Sequence, residues 1–126
     1  MAVKLRKIQR KNPQDQTQAK WYLVQAKSGS VGMHRIVKDI QGRSAMTAGD
    51  VKNVLTNLAE LLPVYLQLGQ SVNLDGFGTF RISVSSVGME KAEELTTRHA
   101  KEPKITFLPS KELKQGLLNI SYEIVP

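Results

Sequence analysis

Apolar and polar residues alternate along residues 71–84 with the two-residue period of a β-strand that buries one face. Gly76 and Gly78 interrupt the apolar row, and Phe77 between them projects to the other face. We interpret the stretch as one kinked strand, in which the missing Cβ atoms let the backbone bulge or let another main chain approach. The apolar row consists of Val72, Leu74, Phe80, Ile82 and Val84.

Helical spacing of apolar residues predicts two helices before this strand. Met33, Ile36, Val37 and Ile40 form a short first helix that stops near Gly42. Thr47 and Asp50 resemble a capping box and open a longer second helix. One face of that helix is apolar and must be buried, and it is formed by Val51, Val54, Leu55, Leu58, Leu62, Tyr65 and Leu66.

A second apolar row lies off that face, at Leu61, Val64 and Leu68. A small domain cannot cover both rows with its own residues, so we expect the second row to pack against another protomer. Pro63 removes one backbone donor, which predicts a kink or a restart of the helix.

The N-terminal 30 residues have the pattern of a β-hairpin. Residues 3–11 and 21–27 are rich in aliphatic and aromatic residues, and the polar segment 12–19 separates them as a long tip. Trp21, Leu23 and Val24 are expected to be core anchors, whereas Tyr22 is consistent with either a core or a base-stacking position.

The C-terminal residues predict a capped helix and a last strand. Ser110 after Pro109 suits an N-cap for a helix from Lys111 to about Leu118. Residues 119–125 then alternate, which predicts a strand that pairs with the N-terminal one.

Composition narrows the class of protein. With 126 residues, 40% of them hydrophobic, the chain has the size of one domain. The absence of Cys excludes disulfides and Cys-ligated metal, and no stretch has the apolar core of a signal peptide or a membrane span. No arrangement of residues typical of an enzyme is present. We therefore expect a cytoplasmic protein that is not an enzyme and has no cofactor, metal ion or small-molecule substrate.

The net charge of +7 is concentrated at the front of the chain. Residues 1–38 hold nine basic residues against Asp15 alone, a balance of +8, and the remainder balances to −1. Such a segment attracts polyanions, with nucleic acid the first candidate and an anionic membrane surface the second. A merely soluble basic surface is the simpler alternative.

Two motifs resemble the bacterial histone-like HU/IHF family of DNA-binding proteins. They are Gly69–Phe80, directly after the second helix, and Ile105–Lys114. The resemblance covers residues 31–118 and implies a helix-turn-helix with a small antiparallel sheet, an intertwined homodimer and binding of double-stranded DNA. Residues 1–30 and 119–126 lie outside it, so we expect a longer, divergent member. The expected dimer and core residues are Leu61, Val64, Leu68, Gly76, Phe77, Gly78 and Phe80.

Members of that family reach into the minor groove with a two-stranded arm that has a proline at its tip. Residues 81–104 stand in its place but lack the tip motif and carry five basic against four acidic residues, and 89–95 looks like a helical turn. Arg10-Lys11-Asn12-Pro13 occurs instead at the predicted tip of the hairpin, where Pro13 is either a wedge for a base step or a common turn former.

The sequence thus predicts one α+β domain over residues 1–126: a basic hairpin extension (1–30), an HU/IHF-like core (31–118) and a C-terminal strand (119–126). We expect a nucleoid-associated homodimer that binds double-stranded DNA with little sequence preference, and bending of that DNA is a further hypothesis. The alternatives are RNA binding and a protein-docking module on the same scaffold. The expected DNA contacts are Lys4, Arg6, Lys7, Arg10, Lys11, Pro13 and Lys20 in the hairpin, Arg81, Arg98, Lys101 and Lys104 in the arm region, and, by resemblance, Lys111 and Lys114.

Overall fold

The computed structural model describes residues 2–126, with the backbone alone at Gln16. Its elements form two three-stranded sheets and three helices, so the predicted α+β class is confirmed. The sheets have the strand orders β2-β1-β6 and β3-β4-β5. The elements are β1 (Val3–Asn12), β2 (Asp15–Gln25), α1 (Met33–Gly42), α2 (Ala48–Gln67), β3 (Val72–Leu74), β4 (Gly78–Ser83), β5 (Lys104–Pro109), α3 (Lys111–Gln115) and β6 (Tyr122–Ile124).

The start of α2 is fixed by the predicted capping box. The Asp50 N–H donates to the Thr47 hydroxyl oxygen at 3.1 Å, and the Thr47 N–H donates to the Asp50 carboxylate at 3.4 Å. The helix continues through Pro63 to Gln67, so the predicted restart is wrong. Because Pro63 lies close to the C-terminal end, the helix loses a single backbone bond there and not its continuity.

The interior of the single chain is small. Within residues 2–126 the buried apolar side chains are Val37 of α1 with Val51 and Leu66 of α2. The second apolar row of α2 is open to solvent, with Leu61 43%, Val64 52% and Leu68 70% exposed.

Residues 71–84 form a hairpin, and the single kinked strand predicted there is wrong. β3 and β4 pair antiparallel, with Leu74 opposite Gly78, and the chain reverses over residues 75–77. Gly76 has a φ of +80°, which L-residues with a side chain rarely adopt. The chain therefore turns back at Gly76, where the sequence suggested only a bend.

Gly78 is the place where another main chain approaches closely. Its φ is +147°, and a Cβ added to it would collide with the Leu108 carbonyl and lie 2.9 Å from the Pro109 Cα. Both neighbours belong to β5, which pairs with β4 along its length. The predicted close approach is thus confirmed at Gly78, while a Cβ at Gly76 would meet open space.

The second sheet turns most of its apolar residues to one side; Leu108, opposite Thr79, lies on the other. Cross-strand partners Phe80 and Phe107 place their ring centroids 4.8 Å apart on the apolar side, together with Ile82 and Ile105. Phe77, in the turn, is 56% exposed, so within the single chain it is not a core residue.

Only a short two-stranded extension continues from this sheet within residues 2–126, where the Lys101 N–H donates to the Ser85 carbonyl and the Val87 N–H to the His99 carbonyl. After β4 the chain forms an isolated bridge between Ser86 and Ala100, and two short 3₁₀ turns, Ala92–Glu94 and Thr97–His99, lie between them. The first 3₁₀ turn falls within the predicted helical turn at 89–95. Within residues 2–126 no helix is long and apolar enough to cross a membrane.

The C-terminal helix is capped as predicted but is shorter. The Leu113 N–H donates to the Ser110 hydroxyl at 3.1 Å, and the Ser110 N–H donates to the Phe77 carbonyl at 2.8 Å, which ties the helix start to the β3–β4 turn. Regular α-helix ends at Gln115, where Gly116, a poor helix former, follows.

Candidate nucleic-acid interface

The first two strands pair antiparallel from Leu5 opposite Gln25 to Lys11 opposite Ala19. The turn between them is short, with Pro13 and Gln14 at its apex. The predicted long polar tip, residues 12–19, is therefore wrong, because most of that segment belongs to β2. The end of a strand that faces solvent can consist of polar residues. The alternation of apolar and polar residues therefore does not reveal such a strand end.

Short polar side chains close this turn. The Asn12 side-chain oxygen accepts from the Gln14 N–H at 3.0 Å, and the Asp15 carboxylate accepts from the Thr17 N–H at 3.0 Å and the Thr17 hydroxyl at 2.6 Å. These bonds from Thr17, the hydroxyl first and the backbone N–H second, lower the pKa of Asp15 below its ordinary value. Asp15 therefore stays ionised at the tip.

The last strand completes this N-terminal sheet, which confirms the predicted pairing of the two chain ends. β6 lies parallel to β1, with Val3 opposite Tyr122 and Leu5 opposite Ile124. Among residues 2–126, the elements of this sheet make no extensive contact with the helices or with the second sheet.

The register separates the residues of this sheet onto two faces. Directly paired residues lie on the same side of a sheet, and successive residues along a strand lie on alternating sides. Each residue can therefore be assigned to one of the two faces. We call one side the basic face: Lys4, Arg6, Ile8, Arg10, Lys20, Tyr22, Val24 and Glu123. We call the other side the apolar face: Val3, Leu5, Lys7, Gln9, Lys11, Ala19, Trp21, Leu23, Gln25, Tyr122 and Ile124.

The basic face carries four cations and one carboxylate, Glu123 beside Lys4. Arg10 lies directly opposite Lys20, and the Arg10 guanidinium carbon is 5.8 Å from the centroid of the Tyr22 ring. This distance is within the range of a cation–π contact, which holds the guanidinium over the ring.

A concave site of about 390 Å³ lies at this end of the hairpin. Polar residues of the turn, three cations and one aromatic ring surround it, which is the combination that binds a phosphate next to a base or sugar. Its lining residues are Arg10, Lys11, Asn12, Pro13, Gln18, Lys20 and Tyr22.

Trp21 and Leu23 are not core anchors of this chain. Trp21 is 66% and Leu23 52% exposed, both on the apolar face, whereas Val24 is half-buried on the basic face. Aromatic and aliphatic residues in a strand indicate a buried side only if something covers that side, and within this chain nothing packs extensively there.

The remaining predicted contact residues are distributed over other elements. Arg81 and Lys104 lie on the polar side of the second sheet, where their cross-strand partners are Thr106 and Ser83. Arg98 and Lys101 belong to the segment between β4 and β5, and Lys111 and Lys114 belong to α3. The structure thus groups Lys4, Arg6, Arg10 and Lys20 on one surface, places Lys7 and Lys11 on the other side of the same sheet, and sets the rest elsewhere.

The sequence analysis left Tyr22 without an assigned role and placed Gln18 in a loop, although both line the concave site. The register of the hairpin is the feature that would have identified them. Once Pro13 and Gln14 form the apex, residue 22 falls on the same face as residues 8 and 10, and residue 18 moves from the tip into β2.

Two helices followed by a three-stranded antiparallel sheet and a capped terminal helix define an HU-like fold, and the N-terminal sheet with its basic face accompanies it. Residues 1–123 match the HU-HIG family, described as an HU domain fused to a winged helix-turn-helix, Ig or glycine-rich motif. The chain belongs to this family, which confirms the resemblance to HU proteins.

Two solved structures share the fold. A proposed DNA-binding protein from Bacteroides vulgatus aligns with a TM-score of 0.69 at 14% identity and covers 98% of this chain, which spans 48% of that protein's length. HU from Anabaena, in a cocrystal structure with DNA, aligns with a TM-score of 0.51 at 18% identity over 68% of this chain and 95% of HU. No curated protein matches the sequence significantly.

Proposed function

We propose that this protein binds double-stranded DNA as a homodimer, with little preference for sequence, through the basic face of its N-terminal sheet. The observation that carries this proposal is the grouping of Lys4, Arg6, Arg10 and Lys20 on one face with the single carboxylate of Glu123. The DNA described for the Anabaena HU cocrystal and the name of the family support it.

The dimensions of the basic face suit a DNA backbone. From Lys4 to Arg10 the strand extends about 20 Å at 3.3–3.4 Å per residue. Over that length one DNA strand presents about six phosphates, at 3.4 Å of axis each. Cations in such a row bind by releasing counterions, and contacts of this kind carry no sequence information.

The large accessible surface of the single chain supports the proposed homodimer. The chain exposes 11140 Å², whereas a compact monomer of its mass exposes about 6,700 Å². The excess, about 4,400 Å² for one chain, is larger than the roughly 1,000–2,500 Å² that each partner of an obligate dimer buries. Leu61, Val64 and Leu68 of α2 are the apolar side chains that we expect a partner to cover first.

Pro13 at the apex of the hairpin is the residue proposed to bend DNA. Its ring lies beside Asn12 and the basic residues of the concave site, and a proline flanked by cations can unstack a base step in the minor groove. Binding of this kind belongs to a nucleoid-associated protein inside the cell, without catalysis, cofactor or metal ion.

The proposal is tested by two matched double variants. Arg10→Gln with Lys20→Gln removes two cations from the basic face; Arg81→Gln with Lys104→Gln removes two from the polar side of the second sheet. We expect the first to flatten the dependence of log affinity on log salt by about 1.8 for each hairpin engaged. The second should change affinity and slope much less. Binding to labelled duplex DNA is measured by fluorescence anisotropy over a range of salt.

Equal losses in the two variants would overturn the assignment to the basic face. No binding by the unaltered protein to any duplex DNA would overturn DNA binding itself, and tighter binding to duplex RNA would favour the RNA alternative. Pro13→Ala should keep the salt slope and reduce only the bend, measured by energy transfer between dyes at the two ends of the duplex.

A further inference from the structure

The concave site at the hairpin tip combines positive charge with flat side chains. Three of its lining residues are cations and none is a carboxylate: Arg10, Lys11, Asn12, Pro13, Gln18, Lys20 and Tyr22. Asp15, the acid of the turn, is not among them, and its carboxylate accepts from Thr17 instead. The site therefore favours a ligand with several negative charges.

Tyr22 and Arg10 add two flat groups to these charges. The Arg10 guanidinium carbon lies 5.8 Å from the centroid of the Tyr22 ring, and Tyr22 remains 47% exposed. Nucleic-acid bases stack on aromatic rings and on guanidinium planes. A base inside a duplex is stacked between its neighbours, so only a base outside the duplex presents a face to such groups. The pair thus suits an unpaired base, which the phosphate contacts of the basic face do not require.

Side-chain amides complete the site. The Asn12 side-chain oxygen already accepts from the Gln14 N–H at 3.0 Å, so the NH₂ group is the part of this amide that can donate to a ligand. Gln18 brings a second amide, which can both donate and accept. Groups of this kind bind base edges and phosphate oxygens. At about 390 Å³ the site has the size of a pocket for one small molecule.

We propose that this site binds a single nucleotide, with the base on Tyr22 and Arg10 and the phosphates on Lys11 and Lys20. A free nucleoside polyphosphate and the unpaired end of a DNA strand offer the same base and phosphate groups. A nucleotide bound here occupies Arg10 and Lys20 of the basic face and therefore competes with a duplex for them. This competition rests on the proposed DNA binding, whereas the nucleotide site itself does not.

The stacking of the base is tested with ATP and inorganic tripolyphosphate, both without divalent cations. ATP has the same chain of three phosphates and adds a base on a ribose, so a site that recognises charge alone binds ATP no more tightly than tripolyphosphate. We expect ATP to bind roughly 5- to 150-fold more tightly, as the stacking of one base on an aromatic side chain provides. Isothermal titration calorimetry measures both affinities. Equal affinities, or no binding of ATP, overturn the proposal.

Substitutions of two tyrosines locate the base. Tyr22→Leu should bring the affinity for ATP close to that for tripolyphosphate, whereas Tyr22→Phe should keep the difference. Tyr122→Leu is the matched control, because Tyr122 is 62% exposed on the apolar face of the same sheet. A difference that survives Tyr22→Leu, or that Tyr122→Leu also abolishes, contradicts the site.

Two duplexes distinguish the sources of the nucleotide. One carries a short single-stranded overhang, and the other has the same overhang without its bases, so that their charges are equal. Tighter binding of the first duplex, lost in Tyr22→Leu, shows that strand ends reach the site; equal binding of the two restricts the site to free nucleotides. Equal affinities for ATP and tripolyphosphate with intact binding to a blunt duplex overturn the nucleotide site alone. Binding of ATP through Tyr22 without binding of any duplex overturns the proposed function alone.

Discussion

The two sheets of this protein handle their apolar residues in different ways. The second sheet, β3-β4-β5, lies beside α2 and stacks Phe80 on Phe107 on its apolar side. The N-terminal sheet, β2-β1-β6, has an apolar side of similar character but no extensive contact with any other element. One sheet thus helps to form the scaffold, and the other presents two chemically different surfaces outward.

Charge follows the same division. The segment between β4 and β5 carries nearly equal numbers of acidic and basic residues, whereas the N-terminal sheet groups four cations on one face. The HU-like scaffold and the basic face thus lie on different sheets of the chain, and the basic face is the surface proposed to bind DNA.

The substitution with the largest expected effect lies in α2. Val64→Glu would place an unpaired charge in the proposed contact between scaffolds and should cost the dimer several kcal/mol. Sedimentation equilibrium should show dissociation to a monomer. Thr56→Glu adds the same charge to the polar side of the same helix and serves as the control. A dimer that survives Val64→Glu with unchanged affinity would contradict a contact through α2.

A change at Gly78 tests the second sheet alone. Gly78→Val should lower the free energy of unfolding by about 3 kcal/mol, because φ is unfavourable and the side chain meets the β5 backbone. Gly76→Val should cost about 1–2 kcal/mol, from φ alone. Gly88→Val is the matched control, with open space around it and no positive φ. Urea denaturation measures all three, and equal stability of the Gly78 and Gly88 variants would contradict the close approach.

A smaller effect, on the affinity for DNA, is expected from a substitution of Tyr22 on the basic face. Tyr22→Leu removes the ring under Arg10 and should weaken binding to duplex DNA two- to fivefold, as expected from a cation–π contact of about 0.5–1 kcal/mol. Tyr22→Phe keeps the ring and should retain the affinity of the unaltered protein. If the Phe variant loses as much as the Leu variant, the hydroxyl and not the ring is the important group.

The smallest expected effect concerns pH and the hairpin tip. The folded pKa of Asp15 lies below its unfolded value because Thr17 donates to the carboxylate. The stabilisation is therefore complete above the unfolded pKa, about 4, and is lost as the pH falls through the folded pKa. The Thr17 amide resonance should move only in this acidic range, and Asp15→Asn should remove the transition. Movement of that resonance near neutral pH would contradict this assignment.

Helix signals in the sequence were local and therefore reliable. The Thr47–Asp50 capping box and the Ser110 cap each depend on residues within one turn, and both are present as hydrogen bonds. The end of α3 was placed too late because Leu117 and Leu118 continue the apolar spacing after Gly116 has already ended the helix.

The turn at Gly76 could not be recognised from the alternation of apolar and polar residues. The turn takes three residues, so Leu74 pairs with Gly78 and the even positions remain on the same face before and after it. A two-residue alternation is identical for one long strand and for such a hairpin. Only the positive φ of Gly76 distinguishes them, and φ is a property of the folded chain.

The candidate site was predicted as a set of charges but not as a surface. The excess of basic residues at the front of the chain was visible, yet the division of Arg10 from Lys11 between opposite faces depends on the hairpin register. Likewise the aromatic and aliphatic character of Trp21 and Leu23 was evident. Their exposure could not be read from it, because burial depends on what packs against the sheet.

The parallel pairing of β6 with β1 also bears on how the protein folds. Val3 and Tyr122 come from opposite ends of the sequence, so this contact closes a loop that contains nearly the whole chain. Contacts so distant in sequence form slowly, because the entropy of closing the loop must be overcome first. The β1–β2 hairpin can form early from contacts between residues near in sequence, but its third strand joins only after the chain between β2 and β6 has brought Tyr122 beside Val3. Completion of the N-terminal sheet is thus expected to be the final step of folding.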